Sequence, residues 1–342
     1  VLDNYCPHRR ASLFFGRNEE CGLRCVYHGW KFDTEGNCVD MPSEPSESNF
    51  KDKVKVTSYP ASEMGGIVWV YMGPAALKPP PPAFERTQVP ETHRRITKVV
   101  QKCNWLQGLE GGIDSVHTNF LHRNFSGSQV GAMDRARSLS LAATVEVAPT
   151  DYGYTYAGIR EISEDEGNYV RSYHFIAPFY QLRPNQLGKA QGKASGHIWV
   201  PIDDETTLVW NFSYRFDGEP LSEAERAQTG SGNEFGKDIV VENGFRSKAS
   251  AENDYFIDRA VQKTQTFSGI PGTNTQDRAV QDTMGPICDR TKEHLGTTDR
   301  AIIMARKILM EALKTVDDGL SLIHISAPTR PRLISYAVFC LK

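Results

Sequence analysis

Apolar and polar positions in the first 73 residues fall into short alternating runs, with 54–57 and 66–72 the clearest, and Gly and Cys are frequent between them. Period-two runs broken this often predict a small strand-and-loop domain. A Pro-rich stretch follows from Pro74 to Pro90, with residues 79–82 all proline. Such a segment is stiff and extended and suits a strap between domains better than a core. From Arg95 the pattern changes again. Residues 96–101 read as a strand and 104–122 mostly as a helix, and alternating runs recur at 138–147, 152–160, 169–176, 197–201 and 207–216. Their turn-rich spacing predicts one antiparallel sheet. Residues 217–276 are polar and Gly-rich, which predicts loops with short helices. Helical periodicity returns over 298–316, with Ile302, Ala305, Leu309 and Leu313 on one face. The whole reads as α+β, a helix-covered antiparallel sheet.

These changes of pattern divide the chain into residues 1–73, a linker at 74–94, a second domain at 95–318 and a tail at 319–342. The tail continues no helix or strand logic and resembles peptide translated in frame from sequencing-adapter DNA, so no function is taken from His324 or Cys340. The chain opens on Val1 rather than methionine, and the first domain is expected to be clipped at its N-terminus.

Composition adds exclusions. With 39% hydrophobic and 24% charged residues and a net charge of −3, nothing marks a nucleic-acid partner. No run approaches the ~20 apolar residues of a membrane span. Seven cysteines in 342 residues are not a small-domain disulfide framework, and Cys6, Cys21, Cys25 and Cys38 crowd the first forty positions among histidines. That clustering suggests metal in a reducing compartment, with the cytoplasm as the default.

Two constellations carry chemistry. Cys6-Pro7-His8 is followed, after sixteen intervening residues, by Cys25-Val26-Tyr27-His28. Two Cys–His pairs suit a [2Fe–2S] cluster with two thiolates on one iron and two imidazoles on the other, which raises its potential above that of an all-thiolate cluster. Zinc is the competing reading, but zinc sites favour a C-x-x-C knuckle. Cys21 and Cys38 stand outside the pairs and read as buried free thiols. The second constellation runs from Glu110 through Asp114 and His117 to His122. Asp114 and His117, three apart, are neighbours on one helical face. His122 is five beyond His117, so some unwinding near Asn119 is expected if both imidazoles reach one metal. Two histidines and a carboxylate with open positions form the facial set of non-haem Fe(II) oxygenases.

The CPHR and CVYHGWKFD segments, the helix with NWLQ, GLEGG, ID, VH and FLH, and QDRAVQDTMGPICDRTKEHLG together resemble the Rieske ring-hydroxylating oxygenase family, in its phthalate-dioxygenase-like branch, in order over roughly residues 1–316. The resemblance implies an all-β Rieske [2Fe–2S] domain followed by a helix-grip (START-like) catalytic domain. It places mononuclear iron on His117 and His122 and carries a late third ligand onto Asp277, with Asp282 as the rival. Asp114 takes the role of a bridge to a cluster histidine, His28 or His8, of a neighbouring subunit. A head-to-tail ring, a trimer or stacked trimers, follows, because cluster and iron in one subunit of that family lie too far apart. Glu110 and Asn104 match the family's helix, with ordinary hydrogen-bonding roles equally open to them.

The implied activity is reductive oxygen activation, with electrons from NAD(P)H passing through a flavin- and iron–sulfur-containing reductase to the cluster and on to the iron. Hydroxylation of an aromatic carboxylate and O-demethylation of an aryl methyl ether both fit these ligands. Phe120, Phe125, Phe175, Phe179 and Tyr180 are candidate pocket aromatics, at least half of them expected in the core. Arg160, Arg171 and Arg183 are candidates to pair with a substrate carboxylate, weighed against surface roles. A Rieske electron carrier would need only the first domain. A lipid- or aromatic-binding module on the same sheet would have no use for the second metal motif.

Overall fold

The computed structural model describes residues 1–73, 76, 78–125, 132–163, 167–184, 192–226, 239–240 and 244–319; the expected tail from 320 onwards lies outside them. Two compact units divide the described residues, one from Val1 to Pro81 and one from Pro82 to Gly319.

The first unit carries four short antiparallel strands in sequence order, β1 (Arg17–Glu19), β2 (Gly22–Arg24), β3 (Lys31–Asp33) and β4 (Cys38–Asp40). A separate hairpin follows, β5 (Ala61–Met64) and β6 (Ile67–Val70). Leu13, Phe32, Met41 and Val56 pack with Cys6, Cys25, Trp30 and Cys38 into one core. The expected strand at 54–57 is reduced to an isolated bridge between Lys55 and Asn37. Gly36 explains the close approach there: it sits at φ +85°, and a Cβ on it would lie 2.0 Å from the Val56 carbonyl oxygen.

In the second unit a single turn of helix, α1 (Glu85–Gln88), precedes strand β7 (Arg94–Gln101) and helix α2 (Trp105–Ile113). After α3 (Ala132–Leu139) come β8 (Thr144–Thr150), β9 (Gly153–Ser163), β10 (Gly167–Ile176), β11 (Tyr180–Pro184), β12 (Lys193–Pro201) and β13 (Thr207–Arg215). Short α4 (Glu223–Arg226), β14 (Ile239–Val240), β15 (Arg246–Ser247) and α5 (Arg259–Thr264) lead to α6 (Thr273–Asp282) and the long α7 (Arg300–Asp317). The nine strands form one sheet in the order β14-β15-β7-β13-β12-β11-β10-β9-β8, antiparallel except where β15 runs parallel to β7. This is the α+β architecture the sequence predicts.

Helices α2 and α7 cover the sheet over a shared core of Leu109, Ile113, Tyr154, Tyr156, Phe175, Trp199, Ile302 and Ala305. Leu313, expected on the buried face of the last helix, is 58% exposed, because α7 has run past the sheet by then. Part of the Pro-rich stretch belongs to this unit: Phe84 is buried and stacks on Tyr180.

Candidate metal centres

Two loops of the first unit fold alike. The Cys6 amide donates to the Ala11 carbonyl, and the Arg10 amide to the Cys6 carbonyl, both at 2.9 Å. In the second loop the Cys25 amide donates to the Trp30 carbonyl at 2.9 Å and the Gly29 amide to the Cys25 carbonyl at 3.0 Å. Each loop closes through a residue in the left-handed region, Arg10 at φ +63° and Gly29 at φ +78°. Glycine meets that demand without strain; arginine does not.

Both cysteines are buried, while His8 is exposed and His28 half-buried, with ring centroids 4.5 Å apart. Burial, with a further contribution from the adjoining Cys25, pushes the Cys6 thiol up to about 11. Coordination deprotonates a thiol outright, so two adjoining buried sulfurs and two adjoining surface imidazoles fit a mixed Cys/His cluster. Trp30 stacks on His8 at 4.3 Å and is anchored by its indole N–H to Ser43 Oγ at 2.8 Å. Cys38 is a buried thiol, as expected. Cys21 is exposed, because it occupies the tight turn between β1 and β2 at φ +53°.

The second constellation is built on α2 and α6. Asn104 caps α2, its Oδ1 accepting from the Leu106 amide at 3.1 Å. The helix ends earlier than the expected unwinding near Asn119. Asp114 is already extended at φ −61°, ψ 127°, and its Oδ1 accepts from the Val116 amide at 2.6 Å. An Asp side chain that captures the backbone two residues on competes with helix continuation. Asp114 and His117 are therefore not neighbours on a helical face. A 3-10 turn, His117–Asn119, delivers His117, and the chain then turns back to bring up His122. Arg160 secures this bend from beneath, donating to the Ser115 carbonyl at 2.7 Å and Asn119 Oδ1 at 3.2 Å. It is buried and braces the motif through the Ser115 carbonyl and the Asn119 side chain, and it does not line the cavity.

Helix α6 supplies the carboxylate. Asp277 Oδ1 lies 3.2 Å from His122 Nε2 and 3.5 Å from His117 Nε2. Donors about 2.1 Å from one ion, at 90–110° to each other, stand roughly 3.0–3.4 Å apart. The two spacings to Asp277 are close to that range, and one ligand atom from each of the three side chains lies within 4.8 Å of the others, so the group could hold a metal ion. Burial favours the neutral acid at Asp277, but the hydrogen bond from His122 and the nearby imidazoles hold its pKa below the ordinary range. Burial likewise opposes charge on His117, and the Asp114 and Asp277 carboxylates outweigh it and hold that imidazole above its usual value. The electrostatics favour positive charge at this point.

Asp282 points elsewhere. Its Oδ2 accepts from the Tyr255 hydroxyl at 2.8 Å, and burial raises its pKa. Behind the metal set, His122 Nδ1 meets Gln276 Oε1 at 2.7 Å, and Asp114 Oδ2 stands 3.5 Å from His117 Nδ1. Glu110 takes a structural role, bound to Arg290 Nη1 at 2.6 Å and to Arg306 Nε at 2.6 Å.

A cavity of about 620 Å³ opens on His117, His122 and Asp277. Its walls come from alternate residues of adjacent strands: Arg171 and Tyr173, Gln181 and Arg183, His197 and Trp199, Asn211. The pocket aromatics expected from sequence are elsewhere. Phe175 and Tyr180 are buried in the core, and Phe179 packs there against Tyr180, while Phe120 and Phe125 cluster with Phe267 nearer the surface. Tyr173 and Trp199 line the cavity instead. Polar residues spaced by two within otherwise apolar strands were the available signal for this wall.

Residues 1–60 match the family described as Rieske [2Fe-2S] domain, and residues 70–342 match the family described as LigXa C-terminal domain like. The chain is 39% identical to the phthalate 4,5-dioxygenase oxygenase subunit of Pseudomonas putida, over 100% of this chain and 79% of that protein. It is 40% identical to the 3-chlorobenzoate-3,4-dioxygenase oxygenase subunit of Comamonas testosteroni, over 92% and 74%. Identity to the 5,5'-dehydrodivanillate O-demethylase oxygenase subunit of a Sphingobium species is 32%, over 93% and 68%. Among solved structures, Pseudomonas putida CBB5 NdmA with caffeine aligns at a TM-score of 0.61 and 18% identity, over 93% of this chain and 79% of that one. Apo dicamba monooxygenase aligns at 0.59 and 17%, over 93% and 87%. At such identities the structural matches speak for the fold, and the sequence matches carry the family. The chain belongs to the Rieske non-haem iron oxygenases, as an oxygenase subunit in which a Rieske [2Fe–2S] domain precedes a LigXa C-terminal-like domain.

Proposed function

We propose that this oxygenase subunit hydroxylates an aromatic carboxylate in the cytoplasm, with electrons delivered by a separate NAD(P)H-dependent flavin and iron–sulfur reductase. In this reading Cys6, His8, Cys25 and His28, within residues 1–73, hold the cluster. His117, His122 and Asp277, within residues 95–318, hold a mononuclear iron. Iron there supplies the redox chemistry that reduces dioxygen, fed by single electrons from the cluster. The protein's residues bind and orient the substrate and keep water out.

The observation that carries the substrate class is Arg183. It lines the cavity that opens on the three metal-binding side chains. Its Nε donates to Ser195 Oγ at 3.2 Å, and among the described residues its terminal nitrogens have no partner. Burial, aided by the like charge of Arg171, lowers its pKa, yet an arginine stays charged in a protein. A half-buried guanidinium on a cavity wall, its terminal nitrogens without a protein partner among the described residues, calls for a planar anion, and a carboxylate matches it in bidentate geometry. Tyr173 and Trp199 supply flat apolar walls for the ring, and a cavity of about 620 Å³ is of ordinary size for a small ligand.

The test is aerobic turnover, with reductase and NAD(P)H, of a panel of phthalates and methoxybenzoates beside their methyl esters. Product mass and formaldehyde are both measured. Acids should be oxidised and esters left nearly untouched. Arg183→Gln should raise KM for the acids by about 30-fold or more, the cost of losing one partner of a buried charge pair. Equal turnover of acids and esters by the parent enzyme would overturn the substrate class. Formaldehyde in step with product would assign O-demethylation, the reaction named for the 5,5'-dehydrodivanillate relative, on the same scaffold.

A further inference from the structure

His197 lies on β12 and lines the cavity beside Arg183. Its Nδ1 is 2.6 Å from Asn211 Oδ1, on the neighbouring strand β13. Asn274 on α6 fixes that carboxamide, its Nδ2 donating to the same Oδ1 at 3.3 Å. An oxygen that receives from Asn274 is an acceptor, so the proton of His197 sits on Nδ1. Burial, followed by the charge of Arg183, pushes the imidazole down to about 3, which keeps it neutral. Nε2 is then a bare lone pair on the cavity wall, and among the described residues no protein donor is bonded to it. Such an acceptor favours a ligand that brings a donor to it over one that displaces water without doing so.

We propose that His197 Nε2 is a specificity-determining acceptor that selects aromatic acids bearing a hydrogen-bond donor on the ring, a phenolic hydroxyl or an amino group, over analogues that lack it. The assignment rests on the aromatic-carboxylate reading and narrows it. Arg183 takes the carboxylate and His197 takes the donor substituent, so one wall reads two groups of opposite hydrogen-bonding sense. Its neutrality matters to the selection. A protonated imidazole beside Arg183 would offer a second donor and reward a second anion instead. Asn211 and Asn274 act here through His197, since their hydrogen bonds set which of its nitrogens carries the proton.

Equilibrium binding to the whole enzyme under anaerobic conditions separates this from turnover. The probes are matched benzoates that differ only in a hydroxyl, an amino, a methoxy or no group at one ring position, taken through each position in turn. At the position that faces His197, the hydroxy- or amino-benzoate should bind at least tenfold tighter than its methoxy and unsubstituted partners. His197→Phe should cut that preference to within about twofold, read as the ratio of the paired affinities, and Asn211→Leu, which frees the tautomer, should weaken it. His197→Gln, which can present an acceptor, should restore part of it and guards against a variant that misfolds. If benzoates bind with no donor preference at any position, or if the preference survives in His197→Phe, the inference fails. If no benzoate binds but neutral aromatics do, the carboxylate reading fails instead.

Discussion

The two imidazoles of the metal set are held from behind by groups of different charge. His117 has the Asp114 carboxylate at 3.5 Å from Nδ1, an ion-pair distance that is long for a hydrogen bond, whereas His122 has the neutral Gln276 amide at 2.7 Å. An acceptor on Nδ1 keeps the proton there and turns the Nε2 lone pair toward the metal position. Gln276 is fixed in turn by its own Nε2, which donates to the Ile270 carbonyl at 2.8 Å. Gln276→Leu should weaken ferrous-ion binding by about 10–100-fold, the usual loss when such a partner is removed. Competition with a chelator reads this directly, and Gln276→Glu should restore it. The third ligand gives a second test. Asp277→Ala should empty the mononuclear site and abolish turnover while the cluster spectrum stays intact. Asp282→Ala should leave the iron in place and cost stability, because Tyr255 loses its acceptor in a buried position. The reverse pattern would reassign the ligand. Both aspartates lie on α6 five residues apart, and sequence alone favoured Asp277 only through the residues that follow it. The choice becomes physical on the helix, where five residues turn a side chain roughly 140° away from the first.

Helix α2 is where pattern and structure part most clearly. Its start at Asn104 was legible, while its end was not. Apolar periodicity runs on to His122, but a single Asx turn at Asp114 outcompetes the helix and aims His117 by a 3-10 turn instead. The nine-stranded sheet was largely readable from alternation. Strand β11 was missed because Tyr180–Pro184 is short and follows β10 closely, and 138–139 belong to α3 because helical hydrogen bonding reaches Leu139. The cavity wall was unreadable as a site because polar residues two apart on a strand look like its solvent face. Here helices cover that face. Close approach of α2 to the sheet depends on Gly112, where an added Cβ would lie 2.1 Å from Trp199 Cη2 and 2.5 Å from its Cζ2. Alanine ordinarily favours a helix by about 1 kcal/mol over glycine. Overpacking against a buried indole costs about 1–3 kcal/mol and has the larger claim, since Trp199 is 4% exposed and has little room to yield. Gly112→Ala should lower the thermal midpoint by several degrees and reduce iron retained through gel filtration. An unchanged midpoint would mean the helix can lift off the sheet freely.

At the scale of the molecule, each of the two units carries one of the two candidate metal sets, and no helix among the described residues is long and apolar enough to cross a membrane. The family resemblance implies electron transfer from cluster to iron across neighbouring subunits of a ring, and we propose Asp114 as the bridge. Asp114 suits that role on its own geometry. Burial favours its neutral form, yet the bond toward His117 and the backbone amides of Val116 and His117 hold its pKa below the ordinary range, so it is a fixed anion. One oxygen is committed to the backbone and the other faces His117, and the side chain keeps 26% of its surface exposed. A carboxylate that holds the outer N–H of a metal-bound imidazole orients it and tunes its basicity, which is what a bridge between two imidazoles requires. Asp114→Asn preserves size and the backbone contacts and removes the charge. Both metal sets should still fill, at three irons per chain, and the assembled mass should be unchanged. The cluster, once reduced, should then stay reduced in a single turnover with substrate and oxygen, with reoxidation slower by orders of magnitude than in the parent. An Asp114→Asn protein with full iron that reoxidises its cluster at the parent rate would reduce Asp114 to a helix cap.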